Sequence, residues 1–158
     1  MEITITPAQP EDAEEILAVQ KLAFERQAQL YNDYNIPPLR ETVEEVRAQF
    51  GHKLILKAVC DDRIVGSLRA YEEDAVVHIG RVSVHPEMQR HGIATSMMNA
   101  VEASFPLARV FHLFTGSRSE ANIRLYGKLG YEIVAAEAAD GHPRLVHMEK
   151  RREVAETA

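Results

Sequence analysis

The sequence predicts an α/β protein of the α+β kind, with about seven strands and about four helices, an antiparallel meander among the strands and a bulge in one of them. Three observations carry this prediction. Apolar residues recur at helical spacing in four segments and at strand spacing, or as short apolar runs, in seven. The stretch from Lys53 to Val84 holds three strand patterns separated by short polar turns, the pattern of an antiparallel meander. The third of these strands changes phase along its length, which an inserted residue explains.

The elements follow in order. Ile3 and Ile5 alternate with threonines and predict a short strand ended by Pro7. Asp12 to Phe24 predicts a helix with Ile16, Leu17, Ala23 and Phe24 on one face. Its start carries Glu11, Asp12, Glu14 and Glu15, where the helix dipole favours acids. Residues 28–40 include Tyr31, Asn32, Asp33, Tyr34, Asn35, Pro37 and Pro38 and predict a loop. Thr42 with Glu45 three residues on is a capping-box pattern. Val43, Val46 and Phe50 give the helix it opens an apolar face.

Leu54 to Cys60 predicts a strand, Asp61-Asp62-Arg63 a turn, Ile64 to Tyr71 a strand, Glu72-Glu73-Asp74 a turn, and Ala75 to Val84 a strand closed by His85-Pro86. In this last strand Ala75, Val77 and Ile79 are apolar at odd positions, and Val82 and Val84 at even ones. A β-bulge at Gly80-Arg81 accounts for the switch. Ile93, Met97, Val101 and Phe105 mark a helix ended by Pro106, and Val110 to Phe114 a buried strand. Glu120 to Leu129 predicts a helix ended by Gly130. Tyr131 to Ala136 predicts a strand, Ala138-Ala139-Asp140-Gly141 a turn, and Leu145 to Met148 the last strand. One domain is expected over residues 1–150, with a polar tail over 151–158 and fraying from Glu149 onward.

Composition bounds the function. The chain has 158 residues, 46% of them hydrophobic and 27% charged, with a net charge of −6. That balance is globular, and the negative charge gives no support to nucleic-acid binding. No apolar run approaches the roughly 18 residues of a membrane span, and the first residues carry no signal-peptide pattern. The lone Cys60 cannot form an internal disulfide, so a reducing, cytoplasmic setting is expected.

The chemistry-bearing unit is strand, short loop, Gln89-Arg90-His91-Gly92-Ile93-Ala94, helix. A helix start offers unpaired N–H groups and the positive dipole end, and so suits a phosphate. Gly92 permits close backbone approach and unusual dihedrals. Ala94 is small, Thr95 adds a hydroxyl, and Arg90 and His91 add positive character. A Walker loop would need Gly-Lys-Ser/Thr, and a dinucleotide fingerprint would need a first Gly-x-Gly; neither is present. An ordinary strand–helix turn is the plain alternative. His78, His85 and His91 match no standard metal spacing, and no metal is expected.

The run Val82-Ser83-Val84-His85-Pro86-Glu87-Met88-Gln89-Arg90-His91-Gly92-Ile93-Ala94 resembles the central motif of the GCN5-related N-acetyltransferase (GNAT) superfamily. Ser119-Glu120-Ala121-Asn122-Ile123-Arg124-Leu125-Tyr126-Gly127-Lys128-Leu129-Gly130-Tyr131 resembles its second motif. The order of elements is similar from Ile3 to Lys150. The resemblance implies a mixed, mostly antiparallel central sheet of about seven strands flanked by about four helices, with a splayed, bulged central strand, and acetyl-CoA as co-substrate. The main chain of Val82, Ser83 and Val84 would then pair with the pantetheine arm, the Val82 N–H serving as donor to the acetyl oxyanion. Gln89, Arg90, His91, Gly92, Ile93, Ala94 and Thr95 would hold the pyrophosphate. Tyr126 would protonate the departing thiolate; its plain alternative is packing beside Ile123 and Leu129.

The chain departs from the family pattern at one position. Many members carry Asn seven residues before the tyrosine, where this chain has Ser119; its asparagine is Asn122, one turn before Tyr126. Both are kept as cofactor ligands, with Ser119 or Ser117 as helix cap, Ser117 and Glu120 forming a capping-box pattern. The general base is left open among Glu72, Glu73, His78 and His112. Cys60, in an apolar strand, is expected to be a buried thiol and no nucleophile. Tyr31, Tyr34, Asp33, Arg40, His142 and Arg144 are the expected liners of the acceptor side. The expected partners are acetyl-CoA and a primary amine of a small molecule, peptide or protein, with homodimerisation left open. A non-catalytic acyl-CoA-binding or regulatory module with the same fold is the alternative.

Overall fold

The computed structural model describes residues 2–137 and 145–154. Its strands are β1 (Thr4–Pro7), β2 (Leu54–Cys60), β3 (Arg63–Glu73), β4 (Val76–Val84), β5 (Val110–Gly116), β6 (Glu132–Glu137) and β7 (Leu145–Arg151). Its helices are α1 (Ala13–Tyr31), α2 (Pro37–Arg40), α3 (Val43–Gln49), α4 (Ile93–Ser104) and α5 (Glu120–Lys128). The seven strands form one sheet in the order β1-β2-β3-β4-β5-β7-β6. Among the described residues, only the β4–β5 pairing is parallel. The mixed, mostly antiparallel sheet agrees with the sequence; a fifth helix, α2, was not foreseen.

The meander turns are tighter than expected. Asp61 and Asp62 take φ of 50° and 62°, and Asp74 and Ala75 take 53° and 67°. Two consecutive left-handed residues are what a two-residue hairpin turn matching strand twist needs, and Asp tolerates that region better than most residues. Arg63, Glu72 and Glu73 therefore belong to β3, and Ala75 to a turn.

Two apolar layers cover the sheet. On one face, Ile93, Met97, Met98 and Val101 of α4 pack on Leu68, Val77, Phe111 and Leu113. Gly66 brings α4 close: a Cβ there would lie 3.0 Å from the Ser83 carbonyl, 3.2 Å from Met97 and 3.3 Å from Ile93. On the other face, Ala13, Ile16 and Leu17 of α1 and Val46 of α3 pack on Ile55 and Ile64. The predicted capping box opens α3, with Thr42 Oγ1 accepting from Glu45 N–H at 3.2 Å and Glu45 Oε1 accepting from Thr42 N–H at 3.0 Å.

Helix α1 corrects the expected loop over residues 28–40. It runs to Tyr31 because Glu25 to Leu30 are good helix formers and Ala28 is fully buried. Asn32 ends it in the left-handed conformation. Pro37 and Pro38 then begin α2, prolines being tolerated in a first helical turn.

β4 carries the predicted bulge. Ser67 pairs with Ser83, whereas Arg69 pairs with Gly80, so β4 holds one extra residue between those pairs. Arg81 sits there with φ of 52°, and Ser83 Oγ donates to its carbonyl at 3.0 Å. β4 also splays. It pairs with β5 only from Val76 to His78, opposite Val110 to His112. Beyond that point β5 keeps its whole length on β7, and a gap opens between Ile79–Val84 and Leu113–Gly116.

The C-terminal end of the described chain is held. β7 continues to Arg151, which corrects the expected fraying from Glu149. Arg152 donates to the carbonyls of Glu102 and Ala108. Glu102 is 8% exposed and joins three elements: Tyr131 Oη donates to it at 3.0 Å and Lys150 Nζ at 2.8 Å. Glu102→Ala leaves both donors without their acceptor. Lys150 is partly exposed, which brings the loss below the full cost of breaking a buried pair, to about 2 kcal/mol. Thermal unfolding of the variant should fall by about 4–8 °C; an unchanged midpoint would deny the network a stabilising role.

Candidate active site

Two adjoining cavities occupy the gap between β4 and β5. The larger, about 1150 Å³, lies between the splayed strands and the end of α1 with α2. The smaller, about 360 Å³, runs between α1 and α5 toward Gln89 and Ala94. They share Phe24, Gln27, Val82, Arg118, Asn122 and Tyr126 as a common wall. A path therefore leads from the loop before α4, past Val82 and Tyr126, into the larger space.

At the loop, Arg90 (φ 66°) and Gly92 (φ 73°) are both left-handed and bracket His91. No heavy atom lies within 4 Å of where a Gly92 Cβ would stand, so the backbone angle and not crowding favours glycine. Ser96 N–H reaches the Gly92 carbonyl at 3.0 Å, the start of the α4 ladder. Earlier amides of the first turn lie before that ladder and have no acceptor within the helix. Arg90, His91 and Gly92 are exposed, and Thr95 is half-buried. Ile93 is buried in the core and contributes only main chain to this surface. Gln89 lines the smaller cavity, but its Nε2 donates to the Val84 carbonyl at 3.1 Å and ties the loop back to β4.

Val82 lines both cavities and Val84 the smaller one, while Ser83 is buried. Because β4 has left β5 here, this stretch lacks a ladder partner on that side. Tyr126, 5% exposed, stands across from it with its ring 6.2 Å from Tyr131. Its hydroxyl has no hydrogen-bond partner among the described residues. Burial pushes its phenol above the ordinary 10.0, so it is protonated at neutral pH and can act as an acid.

Asn122 faces both cavities, its Nδ2 3.4 Å from Thr115 Oγ1. Ser119 lines the smaller cavity at the N-cap position of α5 but makes no side-chain cap bond. Ser117 lines the larger cavity, and the expected Ser117–Glu120 capping box is not formed.

Of the expected acceptor liners, Tyr31, Asp33 and Arg40 line the larger cavity. Tyr31 also locks the site: its hydroxyl accepts from Arg118 N–H at 2.6 Å, and its ring would meet a Gly116 Cβ within 2.9 Å. Tyr34 is 57% exposed and lies outside the lining. His142 and Arg144 lie outside the described residues. Phe24, Gln27, Arg81, Phe114 and Glu137 line the cavity without having been foreseen. Arg81 carried a signal, since a bulged residue is re-aimed away from the pleat; Glu137 carried none.

Among the base candidates, Glu72 and Glu73 are exposed at the turn end of β3, opposite Val77 and Val76. Neither lines a cavity, nor do His78 and His112. Cys60 is buried in β2, away from both cavities.

The wall made by α2 is fixed by Glu41. It accepts from Arg69 at 3.2 and 2.9 Å and from Gln20 at 2.9 Å, and lies 3.5 Å from Arg81. Burial opposes its ionisation, but the bonds from Arg69 and Gln20 and the charges of Arg69 and Arg81 outweigh it and hold the carboxyl below 4.5. A carboxyl lowered by folding contributes stability above its unfolded value, lost as pH falls through the folded one. The melting-temperature gap between wild type and Glu41→Gln should therefore be widest near neutrality and close as pH drops below 4.5. A gap that stays constant with pH would contradict this.

Comparison with known proteins agrees with the fold. Residues 28–152 match the family described as acetyltransferase (GNAT) domain. The fold is similar to that of the PaiA N-acetyltransferase of Thermoplasma acidophilum in complex with coenzyme A, at 19% identity over 96% of this chain and 100% of that one, TM-score 0.78. It is similar also to the ribosomal-protein-S18-alanine N-acetyltransferase of Escherichia coli, at 14% identity over 98% and 97%, TM-score 0.80. A third is yncA of Salmonella typhimurium, a putative acetyltransferase with its cofactor acetyl-CoA, at 21% identity over 100% and 99%, TM-score 0.73. No curated protein matches the chain at a significant level. With a family match over most of its length on a bulged and splayed sheet, this chain belongs to the GNAT acetyltransferase family.

Proposed function

We propose that this protein is an acetyl-CoA-dependent N-acetyltransferase that moves the acetyl group directly from acetyl-CoA to a primary amine. The observation that carries it is the meeting of two cavities at Val82 and Tyr126, with the Gln89–Thr95 loop at the outer end of the smaller one. The pyrophosphate lies on the amides of Gln89 to Thr95, the side chains of Arg90 and His91 adding positive character. Pantetheine follows the main chain of Val82, Ser83 and Val84 on the side β5 has left, with Asn122 and Ser119 along its other flank. The thioester then reaches the shared wall. There the Val82 N–H stabilises the oxyanion and Tyr126 donates its proton to the departing thiolate. The amine enters from the larger cavity.

The setting is cytoplasmic, where the lone buried Cys60 remains a thiol. The test is transfer of labelled acetyl from acetyl-CoA to a panel of amino acids, aromatic monoamines, polyamines and peptides with a free α-amino group. Longer acyl-CoA donors are run beside it. Acetylated product supports the proposal. Tight acetyl-CoA binding without transfer to any panel amine would favour a non-catalytic acyl-CoA-binding module instead.

A further inference from the structure

Three histidines and a glutamate cross four neighbouring strands as one hydrogen-bonded row. His78 on β4 places Nδ1 3.1 Å from Nδ1 of His112 on β5. His112 places Nε2 2.8 Å from Nδ1 of His147 on β7. His147 places Nε2 2.9 Å from Oε2 of Glu137 on β6. The rings lie 5.1 Å apart at each step. Glu137 lines the larger cavity and the histidines do not, so the row meets that cavity through Glu137.

The chemistry of the four groups assigns the protons. A carboxylate only accepts, so His147 donates from Nε2 and accepts at Nδ1. His112 must then donate from Nε2 and accept at Nδ1, and His78 donates from Nδ1. Three neutral imidazoles satisfy every link, each donating toward Glu137. Other groups face the row: Tyr71 of β3 stacks on His78 at 5.1 Å with Lys53 over its ring, Phe114 lies 5.8 Å from His147, and Glu149 acts on His112. Burial, then the charges of His78 and His147, hold His112 below its ordinary value against Glu149. Lys53 is likewise lowered, by burial and then by Arg69 and Arg81 against Glu41. The lowering at His112 favours its neutral form.

We propose that Glu137 is the carboxylate that receives the acceptor's amine proton, and that His147, His112 and His78 are positioning residues that hold it. This rests on the N-acetyltransferase reading. Asp33 is the other carboxylate on the larger cavity's wall among the described residues; its Oδ1 accepts from the Asn35 N–H of its own loop at 2.9 Å, whereas Glu137 is oriented by a side-chain row that crosses the sheet. Among the described residues Glu137 keeps one oxygen free, and its side chain is 66% exposed. In the step, the neutral amine nitrogen bonds to the acetyl carbon and becomes strongly acidic. Its proton passes to the free oxygen of Glu137 while the carbon–sulfur bond breaks and Tyr126 protonates the thiolate. Amide and CoA thiol leave. Glu137 then loses a proton to water and Tyr126 regains one, restoring the starting charges.

The test combines kinetics on the panel's best amine with imidazole ¹⁵N NMR of the protein alone. Glu137→Gln should lower kcat by about 10²–10⁴-fold with the acetyl-CoA KM unchanged, and Glu137→Asp should restore part of it. His147→Phe should cost about tenfold or more, through a carboxylate left unoriented. His112→Phe removes the donor that fixes Nδ1 of His147 as an acceptor, so the ¹⁵N spectrum of that variant should no longer show His147 held as the Nε2-protonated tautomer alone. Glu132→Gln, on the same strand, should leave all of this unchanged. NMR should find His147 neutral and protonated at Nε2. A Glu137→Gln enzyme at wild-type rate, or a His147 protonated at Nδ1, overturns this proposal and leaves the acetyltransferase reading standing. No transfer by the wild type to any panel amine overturns that reading and this one with it.

Discussion

Replacing Tyr126 by phenylalanine should lower kcat by about 10²–10⁴-fold while acetyl-CoA still binds as in the wild type. That is about 2.7–5.5 kcal/mol of barrier. The ring keeps its place, since its contact with Tyr131 and the core involves carbon atoms, so the change isolates the hydroxyl. Burial makes this phenol a weaker acid than one in water. The thiolate that forms beside it is desolvated too, and its own proton affinity rises in step, so the transfer stays feasible. Because the folded phenol titrates above 10.0, no alkaline decline below that pH should arise from Tyr126. Release of CoA thiol, followed against pH, measures both effects. Turnover equal to wild type would remove Tyr126 from the chemistry.

Gly92→Glu should weaken acetyl-CoA binding by about 100-fold or more with the fold retained. Like charges about 4 Å apart near a protein surface repel by about 4 kcal/mol, which exceeds the loss this prediction requires. A left-handed residue with a side chain costs about 1–2 kcal/mol. Part of that is offset by placing a carboxylate at the positive end of α4, and the open space around Gly92 accepts the side chain. Gly92→Ala carries the strain without the charge and should lose far less affinity. Calorimetric titration of both variants separates the terms. An affinity for acetyl-CoA unchanged in Gly92→Glu would show that the pyrophosphate lies elsewhere.

Much of the sheet was legible because its signals are local. The period of two in β2 to β4, the phase change at Gly80-Arg81 and the four-residue spacing of α4 each lie within a dozen residues. Even so, Arg63, Glu72 and Glu73 read as turn residues and are strand, because a hairpin needs only two left-handed positions and Asp supplied them. Residues 28–31 read as loop because the tyrosines and asparagines that follow outweighed helix formers whose value depends on burying Ala28.

The sequence by itself determined the family, and it named the loop from Gln89 to Thr95 and the residues Val82, Asn122 and Tyr126 that are proposed to bind and act on acetyl-CoA. Those are contiguous motifs, and their spacing carries them to one place on any sheet of this order. Only the tertiary structure joined Glu137, on the wall of the larger cavity, to a row of histidines. His78, His112, His147 and Glu137 are far apart in the chain and meet because β4, β5, β7 and β6 are neighbours: His78 stands directly opposite His112, and His147 lies two residues from the direct partners of His112 and of Glu137 on β7. Strand order and register are set by long-range pairing and burial, and no local pattern in the sequence encodes which side chains those pairings bring within hydrogen-bond distance of each other.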